Sequence, residues 1–223
     1  MSSRFSKSRP RVRGVWAGFA AGMSLLLVGP GVASSATFQV NGGQTHLVVR
    51  TFKEGLGSRL AHDHVVEATE LTGTVDYEAA RPDGSAITIE VKTASLRIDD
   101  PAVRRHLGVE GEISVSERAD VMKAMRAPDQ LDVERYPTIR FASTRIVSEG
   151  DGRLRVTGAL TIRGMTREVT FRATVALEAG VLRGRATLSF LQSSFGYRPY
   201  SALLGAIRNK DEVTLDVDLV AKP

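Results

Sequence analysis

The chain predicts an all-β fold, an antiparallel β-barrel of about eight strands with one short inserted helix. Three observations predict it. Apolar and polar residues alternate with period two through most of the sequence beyond residue 36, as on strands with one buried and one wet face. Turn-forming residues punctuate the alternation. A single stretch carries helix formers instead.

The first 36 residues read as a cleavable secretory leader. Arg4, Lys7, Arg9, Arg11 and Arg13 form a basic region, Val15 to Val28 is apolar, and Ser34-Ser35-Ala36 offers the small residues a signal peptidase reads. The apolar run is short for a membrane anchor. No two arginines of the leader are adjacent and Cys is absent, which favours the general secretory route and excludes a lipidated N-terminus. The expected localisation is therefore periplasmic or secreted, after cleavage near Ala36.

Early strands are expected between Phe38 and Phe52. Leu71, Gly73, Val75 and Tyr77 share the face of another, and Ile87, Ile89 and Val91 that of the next. Asp99 to Ile113 reads as an irregular loop fit to cover a barrel mouth. Ser114 to Ala127 reads as the helix, with Ser114 or Ser116 as N-cap, Val121, Met122 and Met125 on its apolar face, and Pro128 as its stop. Strands then follow with inward sets Leu154, Val156, Gly158, Leu160, Ile162; Val169, Phe171, Ala173, Val175, Leu177; Leu182, Gly184, Ala186, Leu188, Phe190; and Val213, Leu215, Val217, Leu219. Reversals are expected at Arg81-Pro82-Asp83-Gly84, Gly150-Asp151-Gly152, Arg163-Gly164 and Ala179-Gly180.

Composition removes several functions. The thirty basic residues less the five of the leader leave 25, equal to the 25 acidic ones. With no basic cluster interleaved with aromatics, nucleic-acid binding is excluded. Zero Cys excludes disulfides, thiol catalysis and thiolate metal sites. The chain's 223 residues less the 36 of the leader leave 187, enough for one sizeable core.

His62-Asp63-His64 is the sharpest polar cluster. On a strand its two imidazoles would share a face at about 6.5 to 7 Å between Cα atoms. That spacing suits a shared metal, which still wants a third protein ligand, or a ligand head group, or plain hydrogen bonds at a strand end. Asp99-Asp100 before Pro101 suits turn or helix-start chemistry more than a general base. Ser58, Ser193 and Ser194 lack a nucleophile-elbow context, and Gly55-Leu56-Gly57 is no phosphate loop. Phe52, Phe141, Phe171, Phe190, Phe195 and Tyr197 fit either a lined pocket or ordinary core. Tyr136-Pro137 reads as a structural corner.

Two phrases, Asp132-Val133-Glu134-Arg135-Tyr136-Pro137-Thr138-Ile139-Arg140-Phe141 and Val156 through Gly164-Met165-Thr166-Arg167-Glu168-Val169, closely resemble the signature of the YceI-like family of bacterial secreted proteins. Leu71-Thr72-Gly73-Thr74-Val75-Asp76-Tyr77 and Ile87 to Leu96 look like its neighbouring strand blocks, and Glu117 to Met125 like its short helix. The segment Gly55 to His64 and Arg163, where the family often has His, depart from the pattern. The resemblance implies a lipocalin-like barrel holding a long apolar molecule, typically a polyisoprenoid. The lining expected of such a barrel takes in Phe52, Leu60, Phe141, Leu160, Phe171, Phe190, Phe195 and Tyr197 by their place in the sequence, with His62, His64 and Arg198 at the mouth. No cofactor is expected, and the apolar cargo leaves room for hand-over to a membrane-protein partner. Two other classes stay open: a metal-dependent enzyme built on His62-Asp63-His64, and an envelope-stress or structural protein with a filled interior.

Overall fold

In the computed structural model, which describes residues 35–55, 62–202 and 207–223, the alternating segments pair in chain order until the sheet closes on itself. The strands are β1 (Ala36–Val40), β2 (His46–Thr51), β3 (Lys53–Glu54), β4 (His64–Ala68), β5 (Leu71–Tyr77), β6 (Ala86–Lys92) and β7 (Leu96–Ile98). After two helices, α1 (Pro101–His106) and α2 (Val115–Arg126), come β8 (Thr138–Gly150), β9 (Arg153–Ile162), β10 (Met165–Glu178) and β11 (Val181–Leu191). The short β12 (Ser201–Ala202) and β13 (Ile207–Asn209) precede β14 (Glu212–Lys222). The expected leader lies outside the described residues except for Ser35 and Ala36, and Leu60 lies outside them as well.

All neighbours are antiparallel, in the order β1-β5-β6-β8-β9-β10-β11-β14, and β1 pairs back onto β14 to close an eight-stranded barrel. Three walls are bent strands in two pieces. β2, β4 and β7 continue β1, β5 and β6 in the same register family, with β2 on β14, β4 on β2 and β7 on β4. Side chains bridge the breaks. Thr69 Oγ1 donates to Ser95 O at 2.8 Å and Ser95 Oγ accepts from Glu70 N at 3.1 Å, where β4/β5 and β6/β7 bend together. The pairing of β1 with β14 joins the first and last strands and closes the ring.

The two ends differ. At the tight end, Asp151-Gly152 and Ala179-Gly180 join long strands in two residues with both φ positive, the hairpin turn that matches strand twist. The Pro82–Gly84 3₁₀ turn closes the third connection there. At the mouth end lie residues 52–55, 62–63, 99–137, 192–202 and 207–211, with one tight turn at Arg163-Gly164 (φ 52° and 71°). The β10–β11 ladder runs only from Ala173↔Ala186 to Glu178↔Val181, so nearer the mouth these strands pair only with their outer neighbours.

α2 begins where expected. Ser114 accepts from Glu117 N at 3.2 Å while Glu117 Oε2 accepts from Ser114 N at 2.9 Å, a capping box. It ends at Arg126 because Ala127, before Pro128, is held extended (ψ 161°). The loop from Asp99, expected to be irregular, contains the six-residue α1. Asp100 caps it, accepting from Ala102 N at 2.8 Å, with Pro101 at its first position. The helix is too short for hydrophobic periodicity to reveal it. Tyr136-Pro137 is a corner as expected: Thr93 donates through N to Pro137 O and through Oγ1 to Tyr136 O, each at 2.8 Å. The Tyr136 ring lies against Gly164, where a Cβ would come within 2.8 Å of it. The two signature phrases therefore meet in space.

Candidate functional site: an apolar lumen with a polar mouth

The inward sets enclose a cavity of about 430 Å³, within the range of small-molecule sites. All three inward residues on β6, all five on β11 and all four on β14 line it. Small side chains open the room: Ala173, Gly184 and Ala186 stand among larger ones. A Cβ at Gly184 would make only ordinary contacts, to Leu219 at 3.8 Å and Thr174 O at 4.0 Å. The Phe141 ring lies over Gly158, where a Cβ would fall 2.5 Å from it, and packs tilted against Phe171 at 5.7 Å between centroids. α2 lies across the mouth, giving Val121 and Met125 to the lining.

Polar groups gather at the mouth: His64, Asp120, Gln130, Gln192, Tyr197, Tyr200 and Asn209. Behind His64 is a buried network. Its Nδ1 lies 2.6 Å from Asp99 Oδ2, while Asp99 Oδ1 accepts from Val65 N at 3.0 Å and from Arg104 Nη1 at 2.8 Å. Arg104 also donates to the carbonyls of Asp63 (2.7 Å), Glu110 (2.7 Å) and Gly111 (3.0 Å), pinning the α1 segment onto β4. Burial alone would raise the Asp99 carboxyl, but hydrogen bonds from His64 and Val65 N–H, the His64 charge and Arg104 together hold it below the usual carboxylate range. An acceptor-only Asp99 places the imidazole hydrogen on Nδ1, which leaves Nε2 as the ring's remaining polar atom. Arg163 ties the rim together, donating to Gly196 O at 2.5 Å and Pro128 O at 2.6 Å.

Of the residues read from the sequence, His64, Phe141, Leu160, Phe171, Phe190 and Tyr197 line the lumen. Phe195 does not face it; fully buried, it packs edge-on against Phe190 at 5.5 Å. Phe52 sits under Lys210, 5.9 Å from its ring centroid. Arg198 is exposed, with its carbonyl accepting from Gln130. His62 precedes β4, which starts at His64, so the two histidines do not share a strand face; His62 lies beside Gly111. Asp63 accepts from Lys53 N at 2.8 Å. Among the described residues, no three His, Cys, Asp or Glu side chains are placed to hold a metal. Sequence reasoning missed Asp99 and Arg104 as partners of His64. Their only signal was an acidic pair and an arginine in a stretch without periodicity.

The YceI-like domain family matches residues 33–221. A UPF0312 protein of Pseudomonas putida is 31% identical over 159 residues, 71% of each chain. One of Pseudomonas syringae is 30% identical over 158 residues, covering 71% of this chain and 70% of the relative. Among solved structures, BcnA of Burkholderia cenocepacia shares the fold at TM-score 0.61 and 19% identity, covering 81% of this chain and 98% of that one. A YCEI protein of Campylobacter jejuni does so at TM-score 0.55 and 15% identity, covering 71% and 84%.

Proposed function

The chain belongs to the YceI-like family, and from that membership we propose that it is a non-enzymatic carrier holding an isoprenoid or similarly lipid-like molecule in its barrel after export to the periplasm or cell exterior. The observation that carries this reading is the lumen of about 430 Å³ lined by apolar side chains from nearly every wall. A structural role would call for a filled interior, whereas Ala173, Gly184 and Ala186 keep this one open. Each methylene moved from water into such a lining contributes about 0.8 kcal/mol. A twelve-carbon stretch thus gains on the order of 10 kcal/mol before ordering losses. The basic, apolar and small-residue order of the first 36 residues supports export.

The test is organic extraction and mass spectrometry of the protein purified from its own host. A recurring prenyl species supports the reading; lipid-free protein across repeated preparations overturns it. N-terminal sequencing of the exported protein tests cleavage near Ala36.

A further inference from the structure

Resting on the carrier reading, we propose that the cargo enters and leaves the lumen sideways, through a seam in the wall between β10 and β11, rather than past α2 at the mouth. Backbone pairing carries the first part. The ladder between these two strands ends at Ala173↔Ala186. From there toward the mouth, among the described residues, 165–172 pair with β9 alone and 187–191 with β14 alone. Neighbours so arranged can part without losing a ladder hydrogen bond. Parting β9 from β10, or β11 from β14, would break a ladder that runs through that same stretch.

The cavities carry the second part. Beside the end of the ladder, the outward residues Thr174 and Arg185 join the inward ones in lining the lumen. A groove on the outside of the barrel reaches the same place: Ala173, Thr174, Arg185, Ala186 and Val217 border both lumen and groove. Inside and outside therefore meet where the pairing stops. The residues opposed there, Ala173 and Ala186, are small, so little has to move for a chain to pass. The groove runs on to α1 with Val48, Val103 and Leu107 in its lining, an apolar landing surface for a hydrocarbon chain. Nearer the mouth, the 3₁₀ turn Gln192–Phe195 packs against β10 and confines the opening to this part of the seam. The mouth is tied by charged donors instead. Arg126 of α2 donates to Ala94 O at 2.8 Å, and Arg163 joins Gly196 to Pro128.

The chain has no cysteine, so a pair can be placed without interference. Arg172→Cys/Thr187→Cys, the outward pair one step beyond Ala173↔Ala186, closes the seam as a disulfide, or through a short methanethiosulfonate linker where the gap exceeds disulfide reach. Exchange of N-phenyl-1-naphthylamine, an apolar fluorescent probe, is followed by stopped flow. The bridged protein should take up and release the probe at least about tenfold more slowly, with Kd unchanged because free and bound states are the same. Reduction should restore both rates. Ala94→Cys/Arg126→Cys joined by a bis-maleimide, which pins α2 across the mouth, should leave both rates within about twofold of the parent. Bridged protein that exchanges probe at the parent rate or loses affinity instead of speed, or a pinned α2 that slows exchange as much, overturns the seam and leaves the carrier reading standing. A parent protein that takes up no probe removes the carrier reading itself.

Discussion

The two ends of the barrel are built on different principles. At the tight end, adjacent strands turn back within two residues, and each turn's conformation follows from the residues in it, as at Ala179-Gly180 (φ 49° and 77°). At the mouth, connections of a dozen residues or more are held by contacts distant in sequence. Arg104 reaches back to Asp63, and Arg163 reaches to Pro128 and Gly196. The tight end settles register and stability locally. The mouth places polar side chains around an opening, which requires separate segments to agree. The cavity between them is continuous with the mouth.

The sharpest way to break this division is to fill the lumen without touching either end. Gly184→Phe should abolish uptake of an apolar ligand, read by calorimetry, while thermal unfolding stays within a few degrees, since the added ring enters open space above Leu219. Asp99→Ala is the largest expected loss of stability at the mouth, about 3–5 kcal/mol in denaturant unfolding, because Arg104 is left buried without its carboxylate. Unfolding as small as that of a surface change would show that the mouth network is incidental.

Acid should attack the same network. Because the folded state holds Asp99 below its ordinary value, that stability is fully present above about pH 4 and is lost as pH falls toward the folded pKa. In Asp99→Asn the acid limb of the stability curve should be shallower than in the parent, and equal slopes would argue against Asp99. Gly180→Ala should cost least, about 1–2 kcal/mol, since it forces a left-handed backbone on a residue with a Cβ and disturbs nothing else. A ligand affinity altered by that change would blur the separation of the two ends.

Much of the fold was legible because a barrel strand has one wet and one dry face. The alternation at Leu182, Gly184, Ala186, Leu188 and Phe190 and at Val213, Leu215, Val217 and Leu219 names lumen residues on β11 and β14 directly. The aromatic reading was less secure at two of its six residues, Phe52 and Phe195. Phe190 lines the cavity while Phe195, five residues on in a 3₁₀ turn, is sealed in the wall, and nothing in local periodicity separates them. The pairing expected of His62 with His64 failed because the strand starts at His64 and leaves His62 in the loop.

What the chain determines by itself is the meander: two-residue reversals and period-two alternation act over neighbouring residues, so their physics is present in any short window. Only tertiary structure decides which imidazole lines the lumen and that Asp99 and Arg104 close behind His64. Those outcomes depend on long-range closure bringing separate loops together, and on burial strengthening charge interactions that an open chain would leave screened by water.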